Sequence, residues 1–295
     1  MSEPRPMLMI EGPKFSGFDF LQESTGVSRG EPFLINGRRI VLPPKSVTQE
    51  GEGDPDTDTG NMKEDGTSLL SHTASTAKSV WDCSIVLSKY LEALSLKKRD
   101  FWTGKRVLEL GAGQGIVSLS VAALNAQRVI ITDIDSAVPS LQQGVKLNGF
   151  GSPRVEVTAL DWTDRTDALQ RAWNHLAVPS GTKPRLDYIL ASDVIWVEYL
   201  IPALVDTIAG LMHGPKTEGG EKASSPVLLL AYQFRSTRSD QLLFDNLDRL
   251  GLKRRKLFLD GSAREQDQDD VLLDPEYRKS NLAIWRVWME QDKAM

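Results

Sequence analysis

The sequence predicts an α/β protein: an open, seven-stranded, mostly parallel sheet with helices on both faces, carrying an N-terminal β-hairpin arm. Three observations predict it. From residue 106 onward, short apolar runs alternate with segments of helical periodicity, which implies parallel strands joined by right-handed crossovers. The first run, ending Val107-Leu-Glu-Leu110, breaks into Gly111-Ala-Gly-Gln-Gly115, and the next, Ile130-Ile-Thr-Asp133, ends in an acid. Strand, glycine turn, helix and acid-tipped strand thus follow in the order of a nucleoside-binding unit. The last two runs have only polar, loop-like sequence between them, so they are expected to pair as an antiparallel hairpin at the sheet edge.

The elements fall in order along the chain. Residues 33–42 alternate around Asn36-Gly37, the residue pair that suits a tight hairpin turn, and stop at Pro43-Pro44. From 46 to 78 the chain is rich in Gly, Asp, Glu, Ser and Thr and has little to bury, so a disordered insert is expected. Residues 1–78 then form an arm and 79–295 the main domain. In 79–96, Val80, Trp81, Ile85, Leu87, Leu91 and Leu94 fall near helical spacing. Strands are expected at 106–110, 128–132, 154–159, 186–191, 226–232, 252–259 and 281–288, and helices at 115–124, 136–147, 164–176, 198–211 and 238–250. The stretch 213–226 reads as a second polar loop.

Bulk properties narrow the function. The 295 residues are 40% hydrophobic and 25% charged, which suits a soluble domain with a sizeable core. The net charge of -5 offers no basic stripe for a phosphate backbone, so nucleic acid is not the expected partner. The single cysteine, Cys83, excludes an intrachain disulfide and a cysteine metal cluster, and its apolar helical surroundings make it a small core residue. The N-terminus lacks a signal-peptide apolar region and no run is long enough to span a bilayer. A monomer in the cytoplasm, with the nucleus as a further compartment, is the expectation.

The glycine spacing identifies the nucleoside. A dinucleotide site wants a third glycine where this chain has Ile116, so that a helix N-terminus can meet a pyrophosphate. No lysine follows as in a phosphate-binding loop. Gly-x-Gly-x-Gly after the acid Glu109, with no phosphate device, resembles the S-adenosylmethionine site of Rossmann-like class I methyltransferases. Gly111 and Gly113 let backbone approach the methionine part of such a cofactor, and Asp133 can accept from two ribose hydroxyls. The alternative for Asp133 is a helix cap. In an open parallel sheet, function collects at the carboxyl ends of the strands. Those ends carry Gly111, Asp133, Asp161-Trp162, Ser192-Asp193 and Tyr232. Each acid could be a local cap, and Trp162, Trp196 and Tyr232 could be core.

Four segments carry a more specific resemblance: Val80-Trp-Asp-Cys-Ser-Ile-Val-Leu87, Glu109-Leu-Gly-Ala-Gly-Gln-Gly115, Leu160-Asp-Trp162 and Ala191-Ser-Asp-Val-Ile-Trp196. Together they resemble the protein-lysine methyltransferases of methyltransferase family 16, the methyltransferase-like 21 group. The resemblance implies S-adenosylmethionine as cofactor. It implies Trp81 as a cofactor contact, Gly111, Ala112 and Gly113 on the methionine side, Asp133 at the ribose, and Trp162 and Ser192 beside the adenine and sulfonium. It places Asp193 at the incoming amine, as the catalytic residue, with Trp196 at the acceptor channel; Tyr232, from its own place at a strand end, is expected to line that channel too. Trp196 stands where the family has tyrosine, which removes a hydroxyl near the acceptor. By the same resemblance a protein substrate is expected, such as a translation elongation factor or a chaperone.

The chemistry expected is in-line displacement by a neutral amine. Lysine's reference pKa of about 10.4 requires the site to favour the neutral form. Asp193 would position the amine first and accept a proton second, because a carboxylate also raises an amine's pKa. The absence of an Asn-Pro-Pro-Tyr motif after the fourth strand argues against amide or adenine acceptors, and the lack of a metal cluster argues against catechol-type O-methylation. Two other readings stay open: a small-molecule N-methyltransferase on the same fold, and a cofactor-binding protein without catalysis.

Overall fold

The computed structural model describes residues 21, 25, 31–43, 79–176, 185–215, 225–262, 268–278 and 281–290. The insert expected at 46–78 and most of the 213–226 loop lie outside the described residues. The chain runs β1 (Phe33–Ile35), β2 (Arg38–Ile40), α1 (Asp82–Lys97), β3 (Arg106–Leu110), α2 (Ile116–Ala123), β4 (Arg128–Asp133), α3 (Val138–Leu147) and β5 (Val155–Ala159). It continues through α4 (Arg165–Leu176), β6 (Tyr188–Ser192), α5 (Ile201–His213), β7 (Val227–Gln233), α6 (Thr237–Arg249), β8 (Leu252–Lys256) and β9 (Leu282–Met289). Every strand and helix expected from 79 onward is present, with ends moved by a few residues.

The main sheet has the order β5-β4-β3-β6-β7-β9-β8. The five strands from β5 to β7 are parallel, and β9 runs antiparallel to both β7 and β8. From β3 the chain winds outward through β4 to β5, then crosses back to β6 on the other side of β3. The crevice where this order reverses lies at the carboxyl ends of β3 and β6, the place where open α/β sheets bind ligands.

Period-two alternation divides the buried side chains into two cores. Val107, Val129, Ile131, Leu229 and Ala231 face one layer, with the buried residues of α1 and α2 and Leu141 and Val145 of α3. Leu108, Leu110, Ile130, Leu228 and Leu230 face the other, with α4, α5 and α6. Strands apolar on both faces are what a sheet covered by two helical layers requires.

The hairpin arm belongs to the first core. Asn36 and Gly37 both take positive φ, 48° and 73°, the turn the sequence predicts. Phe33, Ile35 and Ile40 are buried in the cluster around α1 and α2. The Asn148 amide, at the end of α3, accepts from Val41 N at 2.9 Å and donates to Val41 O at 2.6 Å. The Arg38 guanidinium lies 4.2 Å from the Phe150 ring centroid.

Candidate active site

The switch-point crevice is an open cleft of about 680 Å³, counting the solvent space at its mouth. Its floor is the turn after β3. Gly111 and Gly113 take φ of 61° and 56°, a left-handed conformation that glycine adopts without a side-chain clash. A Cβ on Gly111 would stand 2.9 Å from Val194 Cγ1 and 3.1 Å from Trp162 Cζ2, so the indole packs directly on this turn.

Asp133 closes β4 and is almost wholly buried. Its Oδ2 accepts from Gly113 N at 2.7 Å and its Oδ1 from Ile134 N at 2.7 Å. It therefore ties two strand ends together, and no side chain caps α3. Burial raises its pKa, and the two backbone bonds pull the other way. Two donors leave about half of a carboxylate's roughly four lone-pair sites for ligand hydroxyls. Asp133→Ala should loosen S-adenosylmethionine by about 1.5–3 kcal/mol, the range for losing a hydrogen bond to a charged group. Calorimetry with the cofactor checks this. Equal affinity in parent and variant would reduce Asp133 to a clasp for the turn.

Glu109 lies beneath the turn, fully buried on β3, and its Oε2 accepts from Ser118 N of α2 at 2.9 Å. Burial pushes its pKa up to about 8. A carboxyl whose folded pKa exceeds its unfolded value favours the folded state most below the unfolded pKa, and the advantage is lost as pH rises through the folded one. Stability should thus decline between about pH 4.5 and about 8 on account of Glu109. Glu109→Gln should flatten that part of the denaturation-midpoint profile; an unchanged slope would assign the decline elsewhere.

The β6 end supplies Ser192 and Asp193, and Trp196 follows, 39% exposed at the rim. Asp193 is buried, with φ of 53° and its N–H donating to Ala231 O at 2.8 Å. Its Oδ2 is ion-paired with Arg235, and its Oδ1 is buried without a hydrogen-bond partner. Burial pushes the Cys83 thiol well up, and the Asp193 charge beside it pushes the same way.

The structure brings Trp81, Gly111, Ala112, Gly113, Asp133, Trp162, Ser192, Asp193 and Trp196 to one cleft. Tyr232 is not among its lining residues. It shares the strand face of Leu228 and Leu230, sits in the second core and turns its hydroxyl toward Asp240 of α6. The expectation that Tyr232 lines the acceptor channel is corrected on that ground. Asp161 is also turned away, accepting from Thr163 N at 2.8 Å and Thr163 Oγ1 at 2.7 Å as a local cap. Sequence reasoning missed Ser79, Ser84, Val197 and Leu200 on the walls, and Arg235. Their order along the chain carries no chemical signal.

Among the described lining residues are two carboxylates and three tryptophans, with no lysine, arginine or histidine. Such a lining suits a cationic, phosphate-free nucleoside: an acid for the diol, indoles for an apolar ring, acidic surroundings for a sulfonium. Fold and cleft together define a class I methyltransferase whose cofactor is S-adenosylmethionine. The family profile described as lysine methyltransferase matches residues 67–249, more than half of the chain. The chain belongs to that family. It is 32% identical over 176 residues to protein N-lysine methyltransferase METTL21A of Danio rerio, covering 59% of this chain and 68% of the relative. It is 31% identical over 141 residues to EEF1A lysine methyltransferase 3 of Xenopus tropicalis, covering 48% and 54%. To protein-lysine N-methyltransferase EEF2KMT of Mus musculus it is 26% identical over 200 residues, covering 64% and 53%. The chain thus spans about half the length of the last two.

Proposed function

We propose that the cleft methylates the ε-amine of a lysine in a protein substrate, with Asp193 positioning the amine. The supporting observation is the placement of Asp193 at the β6 end, across the switch point from the Gly111–Gly115 turn, in a cleft rimmed by Trp196. Bound S-adenosylmethionine supplies an electrophilic sulfonium methyl group. Gly111, Ala112 and Gly113 receive its methionine part, Asp133 its ribose, and Trp162 and Ser192 its adenine and sulfonium region, with Trp81 closing the cleft from the start of α1. Trp196 guides the lysine stem with an apolar wall. Most of the acceleration comes from alignment of amine and methyl.

Two relatives are named for elongation factors, so a translation elongation factor is the first acceptor to test and a chaperone the second. A monomer acting in the cytoplasm is the matching cellular reading. Among the described residues no helix is long and apolar enough to cross a membrane. The experiment is transfer from methyl-labelled S-adenosylmethionine into an extract of cells lacking this protein. Label in discrete protein bands, mapped to lysine by mass spectrometry, is the expected result. Label confined to small molecules would select the small-molecule reading, and binding of cofactor with no label anywhere would select the non-catalytic one.

A further inference from the structure

The carboxylate proposed to meet the amine already has a cationic partner. Arg235 lies two residues past the end of β7, and its Nη2 donates to Asp193 Oδ2. The Asp193 side chain is 4% exposed and that of Arg235 30%, so the pair spans the boundary between core and solvent. The guanidinium carbon is 5.4 Å from the Trp81 ring centroid, on an indole that itself lines the cleft. One arginine therefore touches both the acceptor end of the site, through Asp193, and the cofactor wall, through Trp81.

A bare carboxylate at the acceptor position would work against the reaction. An opposite charge within about 4–6 Å moves a titrating group by roughly 1–3 pKa units toward its charged form, here the inert ammonium. A guanidinium held against the same carboxylate cancels much of that field and favours the neutral amine. Among the described residues, the other ionisable groups around this spot are Asp82, Cys83, Asp133 and the Glu198–Arg238 pair. Asp82 and Cys83 begin α1, and the buried Cys83 thiol feels the charges of Asp193, Arg235 and Asp82. Asp133 lies across the cleft, and Glu198, in the segment before α5, is paired with Arg238 at 3.0 Å. Phe234, next to Arg235, is fixed by its N–H to Asn281 O at 2.7 Å, which anchors this segment to the start of β9.

We propose that Arg235 is a positioning residue that holds Asp193 and offsets its charge, so that the incoming lysine reaches the methyl donor as the neutral amine. The proposal rests on lysine being the acceptor. Arg235 acts through Asp193 and the field at the amine. A structural role alone would slow transfer equally at every pH, whereas a field acting on the amine moves the pH profile.

The test uses the full chain with saturating S-adenosylmethionine and the labelled protein band from the extract experiment, in single turnovers from about pH 6 to about pH 10, which spans the approach to lysine's pKa. Such turnovers report ionisation in the bound complex. Arg235→Gln is expected to bind cofactor within about threefold of the parent, to move the rising limb of the profile up by about one pH unit, and so to lose about tenfold in rate near neutrality and recover it at high pH. Arg235→Lys, which keeps the charge, is expected to stay close to the parent profile and shows that the site tolerates substitution. A uniform loss with an unmoved profile in Arg235→Gln, or a Lys variant shifted as far as the Gln variant, overturns the proposal and leaves lysine methylation standing. A parent enzyme that labels no protein overturns both.

Discussion

Asp193→Asn is expected to bind S-adenosylmethionine within a few fold of the parent and to transfer methyl about 100-fold more slowly, the loss a misaligned nucleophile produces. Asparagine is the informative replacement because residue 193 has φ of 53°. Asparagine tolerates that left-handed conformation, whereas alanine adds backbone strain of about 1–2 kcal/mol. Asp193→Ala should lose as much activity and more stability. The ribose and methionine contacts proposed for Asp133 and the glycine turn lie elsewhere, so cofactor affinity isolates the acceptor step. A residue serving only as a structural tie to Arg235 would behave differently. Its activity would follow the folded fraction and return on cooling. Single-turnover transfer and calorimetry on the same preparation separate the two. Near-normal transfer by both variants removes Asp193 from the mechanism and makes Trp196 the residue that positions the amine.

Gly113→Arg should abolish measurable cofactor binding while leaving the sheet intact. Gly113 has φ of 56°, and its N–H holds Asp133 Oδ2 at 2.7 Å. An arginine here meets left-handed strain of about 1–2 kcal/mol and points a long cation into a cleft that takes a cationic ligand. A loss of affinity of at least about 100-fold, near 3 kcal/mol, is expected, with the circular-dichroism spectrum retained. Gly111 makes the contrast. A Cβ there runs into Val194 at 2.9 Å and Trp162 at 3.1 Å, so Gly111→Ala should cost fold stability as well as binding. Unchanged cofactor affinity in Gly113→Arg would remove the turn from the cofactor site.

These effects fall on residues that the sequence largely exposes. The glycine turn and Asp133 are legible because their requirements are local: an apolar run, a left-handed turn, a helix, an acid. Trp81 and Trp196 needed family resemblance, since a tryptophan beside a helix reads equally well as core. Tyr232 is hard to place from sequence because β7 is apolar on both faces, and only its parity with Leu228 and Leu230 marks it as core. Arg235 was invisible for a different reason. It meets Asp193 from 42 positions away, across an irregular turn that no periodicity describes. The edge hairpin was legible, and the order within it could have been. Leu252-Lys-Arg-Arg-Lys256 is the charged sequence that protects an exposed edge, while β9, with Ile284 and Val287 fully buried, belongs inside the sheet.

That order has a genetic consequence. β9, the last strand among the described residues, is an interior strand of the sheet, hydrogen-bonded on both sides. Interruptions downstream of a functional site are commonly mild where the segment they remove hangs free. Here a stop before Leu282 removes one of the two neighbours of β7 and leaves β8 without its partner strand, although every residue lining the cofactor cleft precedes it. Alleles interrupted there should behave as nulls through loss of the protein from the cell, and a variant survey would find the codons for 282–289 as intolerant of interruption as those of the glycine turn.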